Sequence, residues 1–193
     1  MSAYRTKQVN QFQFSKGFTL VELMVGIAIL AILTAIAAPN LSDYLIKSKV
    51  DNEISQLHRL ILTARNTAIN TGKNVTICPL SGTTCGTNWK NELSVFTNDS
   101  DNTKYDSANE ELIKVKSKIS SDDALKFNQA TLIYTATGRL TSGNDSLFIY
   151  CPSANTDLAR GINIALSGRV YASQDTDNDE KDEDRDGNEL DCS

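Results

Sequence analysis

The 193-residue sequence is poor in the residues that break or loosen structure. It has three Pro, ten Gly and 7% aromatics, too few for a collagen-like, low-complexity or linker-rich chain. A single histidine, His58, stands without a partner cluster, so it reads as a boundary residue on a helix rather than a metal ligand or a base. There is no Cys-x-x-Cys pair, no Gly-rich phosphate loop and no convergent nucleophile and base, which leaves no ground for an enzyme. An excess of basic charge is missing too. The 19 Lys and Arg face 24 Asp and Glu, for a net charge of −5, and this argues against a chain that coats nucleic acid.

That net charge hides a partition. Residues 1–17 carry Arg5, Lys7 and Lys16 and no acid, whereas residues 175–193 carry ten acids against Lys181 and Arg185, a balance of −8. What lies between is neutral. From Phe18 to Ala38 the sequence reads FTLVELMVGIAILAILTAIAA, 21 residues with Glu22 as the one ionisable group. A helix of that length spans about 31 Å, the hydrocarbon thickness of a bilayer. The basic stretch ahead of it sets the N-terminus on the cytoplasmic side. A secretory signal peptide is disfavoured, because the apolar run is too long and no small-x-small cleavage site follows it. A carboxylate inside such a span costs about 2.5–3.5 kcal/mol on insertion scales and needs a reason.

The junction Ser15-Lys16-Gly17-Phe18-Thr19-Leu20-Val21-Glu22 resembles the type IV pilin and pseudopilin families, whose precursors are cut after a Gly that precedes Phe. The resemblance implies cleavage of Gly17–Phe18 by a prepilin peptidase, N-methylation of Phe18, and a mature chain of 176 residues once the 17-residue leader is gone. Glu22 would then pair with the α-amino group of a neighbouring subunit's Phe18 and set axial register during assembly. Thr19, Gly26 and Ala28 are small enough for close helix approach, and Pro39 is a site for a kink.

Beyond Pro39, Leu41, Tyr44, Leu45, Val50, Ile54, Leu57, Ile61, Ala64 and Ala68 advance by threes and fours between charged residues, the pattern of an amphipathic helix. Thr71-Gly72 supplies its stop. Short apolar or alternating runs follow at Asn74–Cys78, Leu93–Phe96, Glu111–Ile119, Thr131–Thr135, Leu147–Cys151, Ile162–Leu166 and Arg169–Ala172, with turn clusters between them. They predict antiparallel strands. The expected architecture is α+β and pilin-like, with a long N-terminal helix, transmembrane and then amphipathic, packed on an antiparallel sheet. Its divisions are a leader (1–17), a transmembrane segment (18–38), the amphipathic half of the helix (39–72), a β-rich head (73–174) and an acidic tail (175–193).

Cys78, Cys85, Cys151 and Cys192 all follow the apolar span, and an even count in an exported domain favours disulfides. Three connectivities are open; the favoured one closes a short loop with Cys78–Cys85 and holds the tail with Cys151–Cys192. The stretches Leu57–Leu60, Ala64–Ile69 and Val75–Cys78, then Cys85, Trp89, Val95-Phe96 and Leu166–Arg169, resemble the GspH/FimT/FimU group of minor pilins and pseudopilins. One departure is the absence of Gly shortly after Trp89. Certain FimT-type members bind DNA through Gly-Arg-x-Arg, but here the matching stretch is Gly168-Arg169-Val170-Tyr171. With one arginine and an acidic tail close behind, phosphate binding is disfavoured, and Arg169 is expected to cap a turn or pair with an acid.

Within the tail, Asp182-x-Asp184-x-Asp186-Gly187 has the opening spacing of a calcium loop, where alternate side chains turn carboxylates inward and Gly makes the bend. Asp191 is the candidate closing ligand. An upstream Asp175-x-Asp177-x-Asp179 lacks the Gly. No cofactor is required on this reading, and Ca2+ is a candidate ligand.

The resemblance implies a FimU-like minor pilin of a type IV pilus, priming assembly and joining a tip complex that presents an adhesin. Its alternatives are a minor pseudopilin of a type II secretion system and a DNA-uptake pilin. Expected partners are other minor pilins, the major pilin, the prepilin peptidase, the inner membrane and a tip adhesin. The expected location is the inner membrane before assembly and the pilus at the cell surface after it.

Overall fold

The computed structural model describes residues 17–99, 103–141, 143 and 145–193, apart from the side chains of 36–40. Two compact units are distinguished, Met1–Ser42 and Asp43–Ser193. Helix α1, Leu20–Thr71, contributes to both.

In the first unit the helix is apolar all round. Leu20, Val21, Leu23, Met24, Ile27, Leu30 and Leu33 are each more than half exposed, a surface that a helix keeps only where lipid or other helices cover it. Among the described residues no helix is long and apolar enough to cross a membrane. The described side chains of this run stop at Ala35, so the last part of the 18–38 segment lies outside them. The helical assignment continues past Pro39, whose side chain also lies outside.

In the second unit α1 becomes one-faced. Val50, Leu57, Leu60, Ile61, Ala64 and Ala68 are buried in the core, with Ile46 and Ile54 packed at its edge. Tyr44 and Leu45, at the start of this unit, continue the sequence pattern but are exposed, as is Leu41 in the first unit; the apolar pattern therefore runs further than the buried stripe. Gly72 ends the helix with a φ of +68°, its N–H reaching the carbonyl of Ala68 at 3.0 Å. This is the left-handed exit for which glycine carries no Cβ penalty.

Among the described residues nine strands follow: β1 (Asn74–Ser81), β2 (Thr84–Cys85), β3 (Leu93–Asn98), β4 (Leu112–Lys116), β5 (Ala124–Phe127), β6 (Leu132–Tyr134), β7 (Ser146–Cys151), β8 (Arg160–Ile164) and β9 (Val170–Ala172). They form two antiparallel sheets. In the first, β1 pairs with β3 along one edge and with β6 and then β2 along the other, and β4 extends the sheet beyond β3. The second runs β5-β7-β8-β9. Strands β2 and β5 were not expected from sequence. The first has two residues and the second four, Ala-Leu-Lys-Phe, too short for a period-two pattern to stand out.

Strand β5 earns its place through Phe127, which stacks on Phe148 of β7 at 3.9 Å between centroids; Trp89 meets both rings edge-on. Such a cluster adds about 0.5–1.5 kcal/mol per pair beyond area burial. The Trp89 indole N–H donates to the carbonyl of Gln129 at 3.1 Å. The missing Gly after Trp89 is explained by the turn itself. Asn91 N–H reaches the Asn88 carbonyl, Asn88 Oδ1 accepts from Lys90 N–H, and no residue from 89 to 93 needs a positive φ.

Among the described residues, two ion pairs that each have one buried member tie α1 to the β-rich part of this unit. Lys116 of β4 meets Glu53 at 2.6 Å. Asp123, 2% exposed, pairs with Lys49 at 2.6 Å and accepts from the Tyr150 hydroxyl and the Ser153 N–H. Desolvation would raise the Asp123 carboxyl, yet these partners hold it down at about 2. Burial first, then the bond to Asp123, pushes the Tyr150 phenol up.

Candidate functional site

Three places carry the residues singled out from sequence. The first is the N-terminal junction. Gly17, Phe18 and Thr19 precede the helix without regular structure, Phe18 is 86% exposed, and a Cβ at Gly17 would meet nothing within 4 Å. The Gly17–Phe18 peptide is thus sterically open, while residues 1–16 of the expected leader lie outside the described residues. Glu22 accepts at Oε2 from both the N–H and the hydroxyl of Thr19, each at 3.0 Å. Its own N–H donates to Thr19 Oγ1 at 3.2 Å. This is a capping box, in which the first residue and the third beyond it satisfy each other's free groups. Thr19 therefore starts the helix as its N-cap, a role that its reading as a small packing residue did not contain.

The second place surrounds Arg169. The turn at Gly138 (φ +74°) and the turn at Gly168 (φ +78°) press on each other, and a Cβ at Gly168 would lie 1.9 Å from the Gly138 carbonyl oxygen. Arg65 of α1 docks on the pair, donating from Nε to the Gly138 carbonyl at 3.1 Å and from Nη2 to that of Ser167 at 3.4 Å. Arg169 closes the second turn through its backbone carbonyl, which accepts from Ala165 N–H at 2.9 Å. Its side chain is exposed and makes no ion pair among the described residues. Of the two roles expected of Arg169, a turn cap or an acid partner, its backbone closes the turn and no acid partner is seen among the described residues; the side-chain contacts to these turns come from Arg65.

The third place is the acidic tail, which is ordered against β7, β8 and β9. Disulfides join Cys151 to Cys192 and Cys78 to Cys85. Leu190 sits over Gly161, where a Cβ would come within 3.1 Å of it. Arg185 lies over the Tyr171 ring, 4.7 Å from its centroid, and Lys126 donates to the Ser193 carbonyl.

The acids expected to share a calcium ion do not meet. Asp182 is buried, and its two oxygens are taken by Arg160 at 3.0 Å and by the Ser173 hydroxyl at 2.5 Å. Asp184 caps its own turn, accepting from the N–H groups of Asp186 and Asn188. Asp186 is exposed in the bend made by Gly187 (φ +83°), and Asp191 accepts from the N–H and hydroxyl of Ser193. Among the described residues the acids that do converge are Asp175, Asp177, Asp179 and Glu183, each with a carboxylate oxygen within 4.8 Å of the others. Sequence offered a signal for three of them in the Asp-x-Asp-x-Asp spacing. The bend that Gly would have supplied is made by Asn178 (φ +65°) and Glu180 (φ +75°).

A capped apolar helix, continued as an amphipathic one over antiparallel sheets, with an openly placed Gly-Phe junction, defines a subunit of the pilin class. A family model described as type II transport protein GspH matches residues 53–168, and a prokaryotic N-terminal methylation motif matches residues 13–38. The chain belongs to the GspH family of type IV minor pilins and pseudopilins. Such subunits are structural and not enzymes.

A fimbrial protein of Pseudomonas aeruginosa is 45% identical over 60 residues, 31% of this chain and 38% of that protein. The type IV major fimbrial protein FimA of Dichelobacter nodosus is 41% identical over 69 residues, 36% of this chain and 44% of FimA. The chain thus spans about two fifths of the length of these curated relatives. The type IV minor pilin FimU of Pseudomonas aeruginosa superposes with a TM-score of 0.55 at 18% identity, covering 66% of this chain and 90% of FimU; this is a likeness of fold.

Proposed function

We propose that the chain is a minor pilin of a type IV pilus, acting in a FimU-like position where it primes assembly and joins the tip complex that presents an adhesin. The observation that carries this reading is the N-terminal segment, where the methylation motif matches and the Gly17-Phe18 junction opens directly onto a capped, all-round apolar helix; fimbrial proteins are among the relatives of the chain. A prepilin peptidase would release residues 1–17 and methylate Phe18. The apolar helix would hold the subunit in the inner membrane until neighbouring pilins replace lipid around it. Glu22 would then exchange part of its capping role for the amino group of a neighbour's Phe18, a charge pair that fixes axial register in an apolar bundle.

The test is deletion of the gene in the producing organism, with counts of surface pili and an assay of secreted proteins side by side. Loss of pili with intact secretion is expected. Normal piliation with failed secretion would place the chain in a type II secretion system instead.

A further inference from the structure

We propose that Asp175, Asp177, Asp179 and Glu183 form a binding site for one calcium-type divalent cation, on the loop that the Cys151–Cys192 disulfide closes. Two independent observations carry it. The first is convergence: four carboxylate oxygens lie within 4.8 Å of one another, the span between oxygens on opposite sides of an ion that holds them at about 2.4 Å. The second is Glu183. It is 5% exposed, turns its carboxylate into this cluster, and leaves Oε1 without a hydrogen-bond partner. A buried, unpartnered carboxylate oxygen is costly unless a cation meets it.

Glu183 is also held in position. Its Oε2 accepts from the N–H and hydroxyl of Thr176, both at 2.6 Å, and its backbone pairs with Gln174. Compensating positive charge is scarce. Among the described residues the base paired with any of the four is Lys181, 3.9 Å from Asp179 and itself bonded to Glu189 at 3.0 Å. The all-oxygen donor set, without His or Cys, selects a hard cation over zinc. Positions one, three, five and nine of the loop supply the ligands, so alternate side chains face the ion and the buried acid closes it from the sheet side.

The experiment is a calcium chloride titration of the full chain in detergent micelles, followed by calorimetry and by the melting temperature. A saturable single site is expected, with a dissociation constant of about 0.1–1 mM as in extracellular modules, and the melting temperature should rise with it. Asp177→Asn and Glu183→Gln should each weaken binding by at least about tenfold, whereas Asp186→Asn, outside the cluster, should leave it unchanged. Asp177 is exposed, so its variant tests the site even if Glu183→Gln fails to fold. Absence of a saturable response at millimolar calcium, or equal weakening by Asp177→Asn and Asp186→Asn, would overturn the proposal.

Discussion

Gly168 and Asp123 are the residues whose chemistry the surrounding structure constrains most. A Cβ at position 168 would meet the Gly138 carbonyl at 1.9 Å and would sit at a φ of +78°, where a side chain strains the backbone in any case. Gly168→Ala should therefore cost about 2–4 kcal/mol of stability, while Arg169→Ala, at an exposed side chain, should stay within about 0.5 kcal/mol; urea unfolding of the two variants checks the contrast. Asp123 gives a pH dependence. Its folded pKa of about 2 lies below the ordinary 3.8, so its contribution is fully present above about pH 4 and is lost as pH falls toward 2. The size is about 2 kcal/mol. Asp123→Asn should lose that stability near neutral pH and show a correspondingly smaller further loss on acidification. Asp123 does not announce itself in sequence, and Gly168 shows there only as a turn and motif residue, because the burial of the one and the close contact of the other depend on partners distant in the chain.

Among the elements, α1 was the most legible, since its change from continuous to three-and-four spaced apolar residues separates two environments. Its limits were less so. Leu41, Tyr44 and Leu45 keep the pattern without a core to pack on, and the capping role of Thr19 depends on a contact with Glu22 that spacing alone only permits. Glu22→Ala should leave insertion intact and reduce incorporation into pili, which quantitative mass spectrometry of sheared pili would measure. The tail was legible as an acidic segment but not as a ligand geometry, because Arg160 and Ser173 take Asp182 away from the loop that its Gly completes. Its anchoring bond encloses a sequence separation of 41 residues, for which the chain-entropy relation gives about 4 kcal/mol. The double variant Cys151→Ser, Cys192→Ser should show that loss as a lower urea midpoint, together with faster proteolysis of residues beyond 174.

For the whole molecule, net charge is a sum of unlike parts. The basic charge of residues 1–17 would leave with the leader, so the mature side chains would sum to −8, the balance of residues 175–193 alone. Intact-mass analysis of membrane-extracted protein should find a chain beginning at a methylated Phe18; an intact Met1 or Ser2 terminus in peptidase-competent cells would contradict the assembly reading. The contact between Gly138 and Gly168 bears on how any survey of this surface is to be interpreted. Gly168 and Arg169 are adjacent and invite replacement together as a dipeptide motif. Yet the glycine is clamped beneath Arg65, and the arginine is the one open to solvent. A paired replacement would record misfolding as lost binding, so only the single change at Arg169 can attribute a phenotype to recognition.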